Sequence, residues 1–325
     1  MPLSPSYTIA LLRLAPAISP KQKVIAAYLF CALTWGTTWF FIRVSIGPGA
    51  FPTYPSAALR FTIAVAIILL LGLAGLFPLN PRLGSQVRWV CVAGLLNGLG
   101  YALVYHGEET VPGSVAAVIF GSSPLLIAIC AAITRTERIS SGQITGAIIA
   151  LAGIVFIFWD RLTISPQQAV SVALIFVAAL GNAIYVLLLK RKAPDAHSLA
   201  STGIFLAGTS AVLWLFSLAA FSLPHTNNAH PQSLSWPPPL KPTLALLYLA
   251  IAGSFLAFGC YLYLIKHVSA MVVGSLVIVQ PLIALVVDHF WEAGAKFSAL
   301  TYTGAALTLT GLIISLLRKP AQPAT

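Results

Sequence analysis

The chain has 325 residues, of which 58% are apolar and 8% charged, with a mean hydropathy of +0.93. A soluble domain carries roughly 45–50% apolar and about 25% charged residues. A soluble enzyme or nucleic-acid-binding domain is therefore excluded, and the net charge of +11 becomes a question of which side of a membrane it occupies.

In chain order, residues 1–23 hold a short apolar stretch, Ile9 to Leu12, interrupted by Arg13 and Pro16. It is too broken for a signal sequence and reads as a cytoplasmic leader. Apolar runs bounded by Pro, Gly and charge follow near 24–46, 54–76, 89–106, 113–134, 142–159, 169–189, 199–221, 243–265, 270–290 and 299–317. Each approaches the ~20 residues that cross a hydrocarbon core as a helix. The fold class is thus an all-α membrane protein of ten transmembrane helices. It divides into the leader, a first five-helix block at 24–159, a second at 169–317 and a cytoplasmic tail at 318–325. The short connections after His106 and Lys266 make their flanking helices antiparallel neighbours. The loop from Ser222 to Pro242, rich in proline, reads as an extended linker. Cys31, Cys91, Cys130 and Cys260 each fall inside an apolar run and read as packing residues.

Alternating sides span by span places the basic clusters 21–23, 82–88, 135–138, 190–192 and 318–319, with Lys266, on one face. The other face and its helix ends hold Arg43, Arg60, Arg161, Lys241 and Lys296 against Glu108, Glu109, Asp160, Asp288 and Glu292, which cancel. The whole net charge lies on the first face. The positive-inside rule makes that face cytoplasmic, with both termini there, in a multi-pass cytoplasmic (inner) membrane protein.

The halves repeat. Val111 to Pro124 aligns without gaps with Val268 to Pro281, Gly146 and Gly153 align with Gly304 and Gly311, and Gly100-Tyr101 corresponds to Gly259-Cys260-Tyr261. Five spans per half is an odd number, so the second copy is inverted. Transporters of this kind hold their site between the repeats near the bilayer midplane.

Several side chains there carry chemistry. Pro124 and Pro281 lie about halfway along their spans. A proline frees the carbonyl four residues earlier, here at Phe120 and Val277, which lipid cannot satisfy. With Ser122, Ser123 and Gln280 beside them, they read either as discontinuous helices lining a cavity or as packing kinks. Arg60 lies inside the second span, where a charge costs about 2.5 kcal/mol or more. It holds either a substrate carboxylate or an ion pair with Glu108, Glu109 or Asp288. Asn97 shares a helix face with Tyr101, and Asn182 with Tyr185; such amides bridge helices or line a path. Trp35 and Trp39, one turn apart, stack a planar substrate or fill the core. Asp288 and Glu292, at i and i+4, can share a proton. With His289 and Glu108 they are the proton-coupling candidates; a wetted polar helix end is the alternative. No HExxH, GxSxG, phosphate loop or metal-ligand spacing occurs, so neither cofactor nor metal is expected, and a carrier ranks above an enzyme.

At these residues the sequence resembles the EamA family of the drug/metabolite transporter superfamily from Val24 to Leu317. The matching stretches are Trp35-Gly36-Thr37-Thr38-Trp39, Ala57-Ala58-Leu59-Arg60-Phe61, Gly107-Glu108-Glu109-Thr110-Val111-Pro112, Ser123-Pro124 and Arg135-Thr136-Glu137-Arg138. Asp288-His289-Phe290-Trp291-Glu292 departs from the family's usual Gly-Glu-Arg turn. The resemblance implies ten spans in two inverted repeats and transport of small metabolites, often export of amino acids or related compounds. The expected protein is an alternating-access exporter of a small polar metabolite, with lipid and protons as its other partners. A drug exporter, an importer, a multispan membrane enzyme and a scaffold are the alternatives.

Overall fold

A computed structural model describes residues 19–46, 49–80, 83–108, 110, 116, 119–135, 139–157, 159, 168–222, 239–291 and 298–317. These residues are helical, with no strand among them. Six helices are long and apolar enough to cross a membrane: α1 (Pro20–Ile46), α2 (Thr53–Leu73), α3 (Val87–Glu108), α6 (Ala169–Lys192), α7 (Leu199–Ser222) and α8 (Leu240–His267). Four further apolar helices are α4 (Ser123–Thr134), α5 (Ser141–Ile157), α9 (Ala270–Trp291) and α10 (Ala299–Leu317). Most of the leader, the core of the proline-rich loop, Glu109, Glu292 and the tail lie outside the described residues.

The helix starts follow local chemistry. Ser19 caps α1 and Ser140 caps α5. In each case the serine hydroxyl accepts from the backbone N–H of the glutamine three residues on, whose side-chain oxygen accepts from the serine N–H. Pro52 and Pro239 precede α2 and α8. Arg135 ends α4 with a left-handed φ of 52°.

The bundle is apolar outside as well as inside. Leu33, Leu70, Ile133, Leu215 and Phe221 are all exposed, as suits a protein whose solvent is lipid. Cys31 is buried, but Cys91 faces outward on α3. Its apolar neighbours do not distinguish a lipid-facing from a core position.

Inside, α5 packs on α10, α3 on α6 and α7, α2 on α7 and α8, α1 on α8 and α9, and α4 on α6 and α9. Small residues let backbones meet where lipid supplies no hydrophobic drive between helices. A Cβ on Gly304 would lie 2.6 Å from Ile157 N and 2.7 Å from Gly153 O, and one on Gly146 would lie 2.6 Å from Gly311 O. At one end of the bundle Gln86 Nε2 donates to Asp195 Oδ2 at 3.1 Å, and Lys266 Nζ lies 3.6 Å from Asp195 Oδ1. The hydrogen bond from Gln86, assisted by the lysine, holds the Asp195 carboxyl below the usual carboxylate range. At the same end Lys190 Nζ donates to Ile265 O and Val268 O, and Arg191 Nη1 to Thr134 O. These ties gather the ends of α4, α6 and α8 and the start of α3.

Gly304→Ala should press α10 off α5 and cost about 1–3 kcal/mol, read as a lower unfolding temperature in detergent. Gly181→Ala, where an added Cβ meets nothing within 4 Å, should show no loss.

A cavity around a buried arginine

The cavity starts from one costly residue. Arg60 on α2 is 1% exposed, and a charge at that depth needs partners. They come from α8, whose turn from Ile251 to Leu256 is π-helical. A π turn redirects backbone carbonyls that a regular helix keeps in its own ladder. Arg60 Nη2 donates to Gly253 O at 3.2 Å, and Nε donates to Ser254 Oγ at 2.7 Å. Gly253 eases the approach, because a Cβ there would lie 3.1 Å from Nη2, a tight contact that the guanidinium would have to relieve by shifting. Trp35 Nε1 donates to the same Gly253 carbonyl at 3.0 Å. The guanidinium carbon stands 5.1 Å from the Phe61 ring centre and 5.3 Å from that of Tyr101, within cation–π range.

Around this group lies a cavity of ≈ 100 Å³ walled by α1, α2, α3, α4, α6, α8 and α9. Of the residues singled out from sequence, it brings together Trp35, Trp39, Arg60, Asn97, Tyr101, Ser123, Asn182, Tyr185 and Gln280. Asn97 also bridges helices, its Nδ2 donating to Thr209 Oγ1 at 3.0 Å. Asn182 Oδ1 accepts from Tyr261 Oη at 3.4 Å.

Pro124 and Pro281 are not among the lining side chains. Pro124 sits in the first turn of α4, just after a break at Ser122. An N–H there would have no partner within the helix, so the ring fits without loss. It packs at Gly274, where an added Cβ would lie 3.4 Å from Pro124 Cα. The expected break at Pro281 is not seen: α9 runs through it as one helix. Arg60 forms no ion pair with Glu108; its partners are the serine hydroxyl, the glycine carbonyl and two rings. Glu108 ends α3 outside the cavity lining, with Oε1 buried and without a hydrogen-bond partner among the described residues. Asp288 and His289 lie in α9, with side chains outside the described set, as is all of Glu292.

Sequence reading missed Gly253, Ser254, Phe258 and Tyr261. Trp35 meets Phe258 at 5.3 Å and Tyr261 at 4.9 Å, edge to face. The alignment of Tyr101 with Tyr261 was the available signal for the second ring. The Gly253-Ser254 pair within an apolar run was the only one for the π turn.

Three donors in this wall are buried without a partner among the described residues: Arg60 Nη1, Trp39 Nε1 and Ser123 Oγ. Unpaired buried donors are costly, and clustered at one cavity they suit an oxygen-bearing ligand.

A helical membrane bundle with a polar-studded, aromatic-walled cavity inside it defines the class. The chain belongs to the EamA-like transporter family, which it matches over residues 22–159 and again over 169–317. It is 28% identical to the inner membrane transporter YedA of Escherichia coli K12 over 90% of each chain. It is 26% identical to the protein PagO of Salmonella typhimurium over 83% of this chain and 85% of that one. To the protein PecM of Dickeya dadantii it is 27% identical over 90% and 92% respectively. A solved crystal structure shares the fold with a TM-score of 0.71, at 21% identity, over 92% of this chain and 98% of that one.

Ser254→Ala should strip an acceptor from the buried cation and cost about 1.5–3 kcal/mol. Ser254→Thr, which keeps the hydroxyl, should lose less. Thermal unfolding in detergent measures both.

Proposed function

We propose that the protein is a secondary transporter that moves a small polar metabolite, an amino acid or related compound, across the cytoplasmic membrane by alternating access. The observation that carries this reading is the cavity. It draws its wall from helices of both halves of the chain and presents unpaired donors there. The outward direction rests on the family resemblance, and the cytoplasmic placement of both termini on the basic clusters.

Two inverted five-helix repeats give such a cavity its means of opening to either side. The packing supports them. Exchanging α1–α5 with α6–α10 turns the α3/α6 contact into α8/α1, α3/α7 into α8/α2, and α4/α6 into α9/α1. The pairs α2/α7, α4/α9 and α5/α10 map onto themselves. Gly146 meets Gly311 while Gly153 meets Gly304. That crossed pairing between aligned positions is what a two-fold axis normal to two antiparallel helices produces. Glu108, with its unpartnered buried oxygen, is the proton-coupling group this reading favours among the described residues.

The test is flux into proteoliposomes with labelled amino acids, the carboxylates that share their skeletons without the amino group, and nucleobases, with and without a pH gradient. At least one solute should move, faster with the gradient. Glu108→Gln should remove that acceleration and spare gradient-free exchange. Flux indifferent to the gradient would remove proton coupling and leave the carrier, whereas no flux of any solute by folded protein would remove the carrier.

A further inference from the structure

Resting on the carrier part of that reading but narrowing its cargo from amino acids to related compounds without the amino group, we infer that the cavity selects an organic monoanion: a solute with one carboxylate, an apolar body and no ammonium group. Charge comes first. Among the described residues Arg60 is the only charged residue lining the cavity, and it has no ion pair among them. Its hydrogen-bond acceptors are neutral, so no acidic side chain of the described wall compensates its charge. A solute anion cancels that charge. A zwitterion cancels it with one group and brings a second cation that no acidic side chain of the described wall can meet.

Hydrogen bonding points the same way. Three wall atoms buried without a partner among the described residues can donate, Arg60 Nη1, Trp39 Nε1 and Ser123 Oγ, beside the neutral amides of Asn97 and Gln280. An indole or guanidinium nitrogen can only donate, and a hydroxyl can donate as well as accept. The acceptors beside the cation are already taken. Gly253 O receives both Trp35 and Arg60, and Ser254 Oγ receives Arg60 Nε. A carboxylate offers several lone pairs to such donors, and an ammonium offers none. The aromatic faces give an ammonium little relief, because Arg60 already stands over Tyr101 at 5.3 Å. Trp35, Phe258 and Tyr261, packed edge to face, leave an apolar surface for the uncharged body.

The experiment uses solutes that share a skeleton and differ only in charge. Isocaproate, leucine and isoamylamine form one set; phenylpropionate, phenylalanine and phenethylamine form another. Each is titrated against the full chain in nanodiscs by tryptophan fluorescence and thermal shift. On at least one skeleton the carboxylate should bind at least about tenfold tighter than its zwitterion, with no binding of the amine. Arg60→Gln should abolish the preference. Should that variant fail to fold, Ser123→Ala and Trp39→Phe should each weaken carboxylate binding by about tenfold, and carboxylate affinity unchanged in both would overturn the inference. Zwitterion or amine binding as tight as the carboxylate, or no carboxylate binding, overturns the inference. Because binding is read without flux, failure of the preferred carboxylate itself to move into proteoliposomes, with the charge preference intact, would sink the transport reading alone.

Discussion

A guanidinium out of reach of water fixes more of this structure than any other group. Arg60 is affordable at that depth only because α8 departs from α-helical geometry and lends it a carbonyl and a hydroxyl. For that, α8 must lie against α2 at this level, and a glycine at 253 leaves the guanidinium room to approach. Trp35 uses the same carbonyl, which seats α1 in the same corner. Tyr101 places its ring against the cation and brings α3. One desolvated charge thus sets the relative heights of four helices, and the cavity is the space they leave.

Elsewhere the bundle is joined by contacts that work without hydrophobic drive. Thr62 and Ser210 join α2 to α7, Tyr28 and Ser275 join α1 to α9, and Thr37 and Tyr248 join α1 to α8, each by one hydroxyl–hydroxyl bond. These hydroxyls also bond within their own helices in several cases, as Thr62 does to Ala58 O and Ser275 to Val272 O, so each junction is modest in strength. Between α5 and α10, and where α3 crosses α7, glycines press backbone on backbone. The helices around the cavity are joined by a few side-chain hydrogen bonds at a crossing and by aromatic edges, while the α5/α10 pair adds no side chain to the wall.

Much of this was legible in the sequence, and the reasons divide cleanly. Helix positions followed from apolar runs of membrane length, because lipid admits few alternatives. Arg60, Asn97, Asn182 and Gln280 were legible as polar groups that need a partner or a cavity, because a polar group inside a span is costly and has few places to go; the choice between partner and cavity stayed open. Trp35 and Trp39 were ambiguous because indoles serve core and cavity equally. The partners of Arg60 were not legible. A carboxylate was the natural expectation, but a backbone carbonyl from a π turn has no residue type to announce it. Phe258 and Tyr261 were hidden in the same way, since an aromatic ring at helical spacing reads first as core.

The two prolines divide. Each read either as a break that frees a carbonyl toward the cavity or as a packing kink. The backbone irregularities lie instead at Ser122, just before Pro124, and at Ile251 to Leu256 in α8. Pro124 costs no bond because it follows the break, and Pro281 is accommodated inside a continuous α9. The crossing of α3 on α7 supplies the comparison. There Gly94 and Gly98 let two regular helices touch, an added Cβ on Gly98 coming within 2.7 Å of Thr209 O, and α7 carries no charged residue. The crossing of α8 on α2 carries Arg60, and there the helix unwinds into a π turn. Irregular backbone in a membrane persists where a buried polar group consumes the carbonyls it releases. In α8, therefore, the position of the charge rather than that of a proline decides where the helix departs from regular geometry.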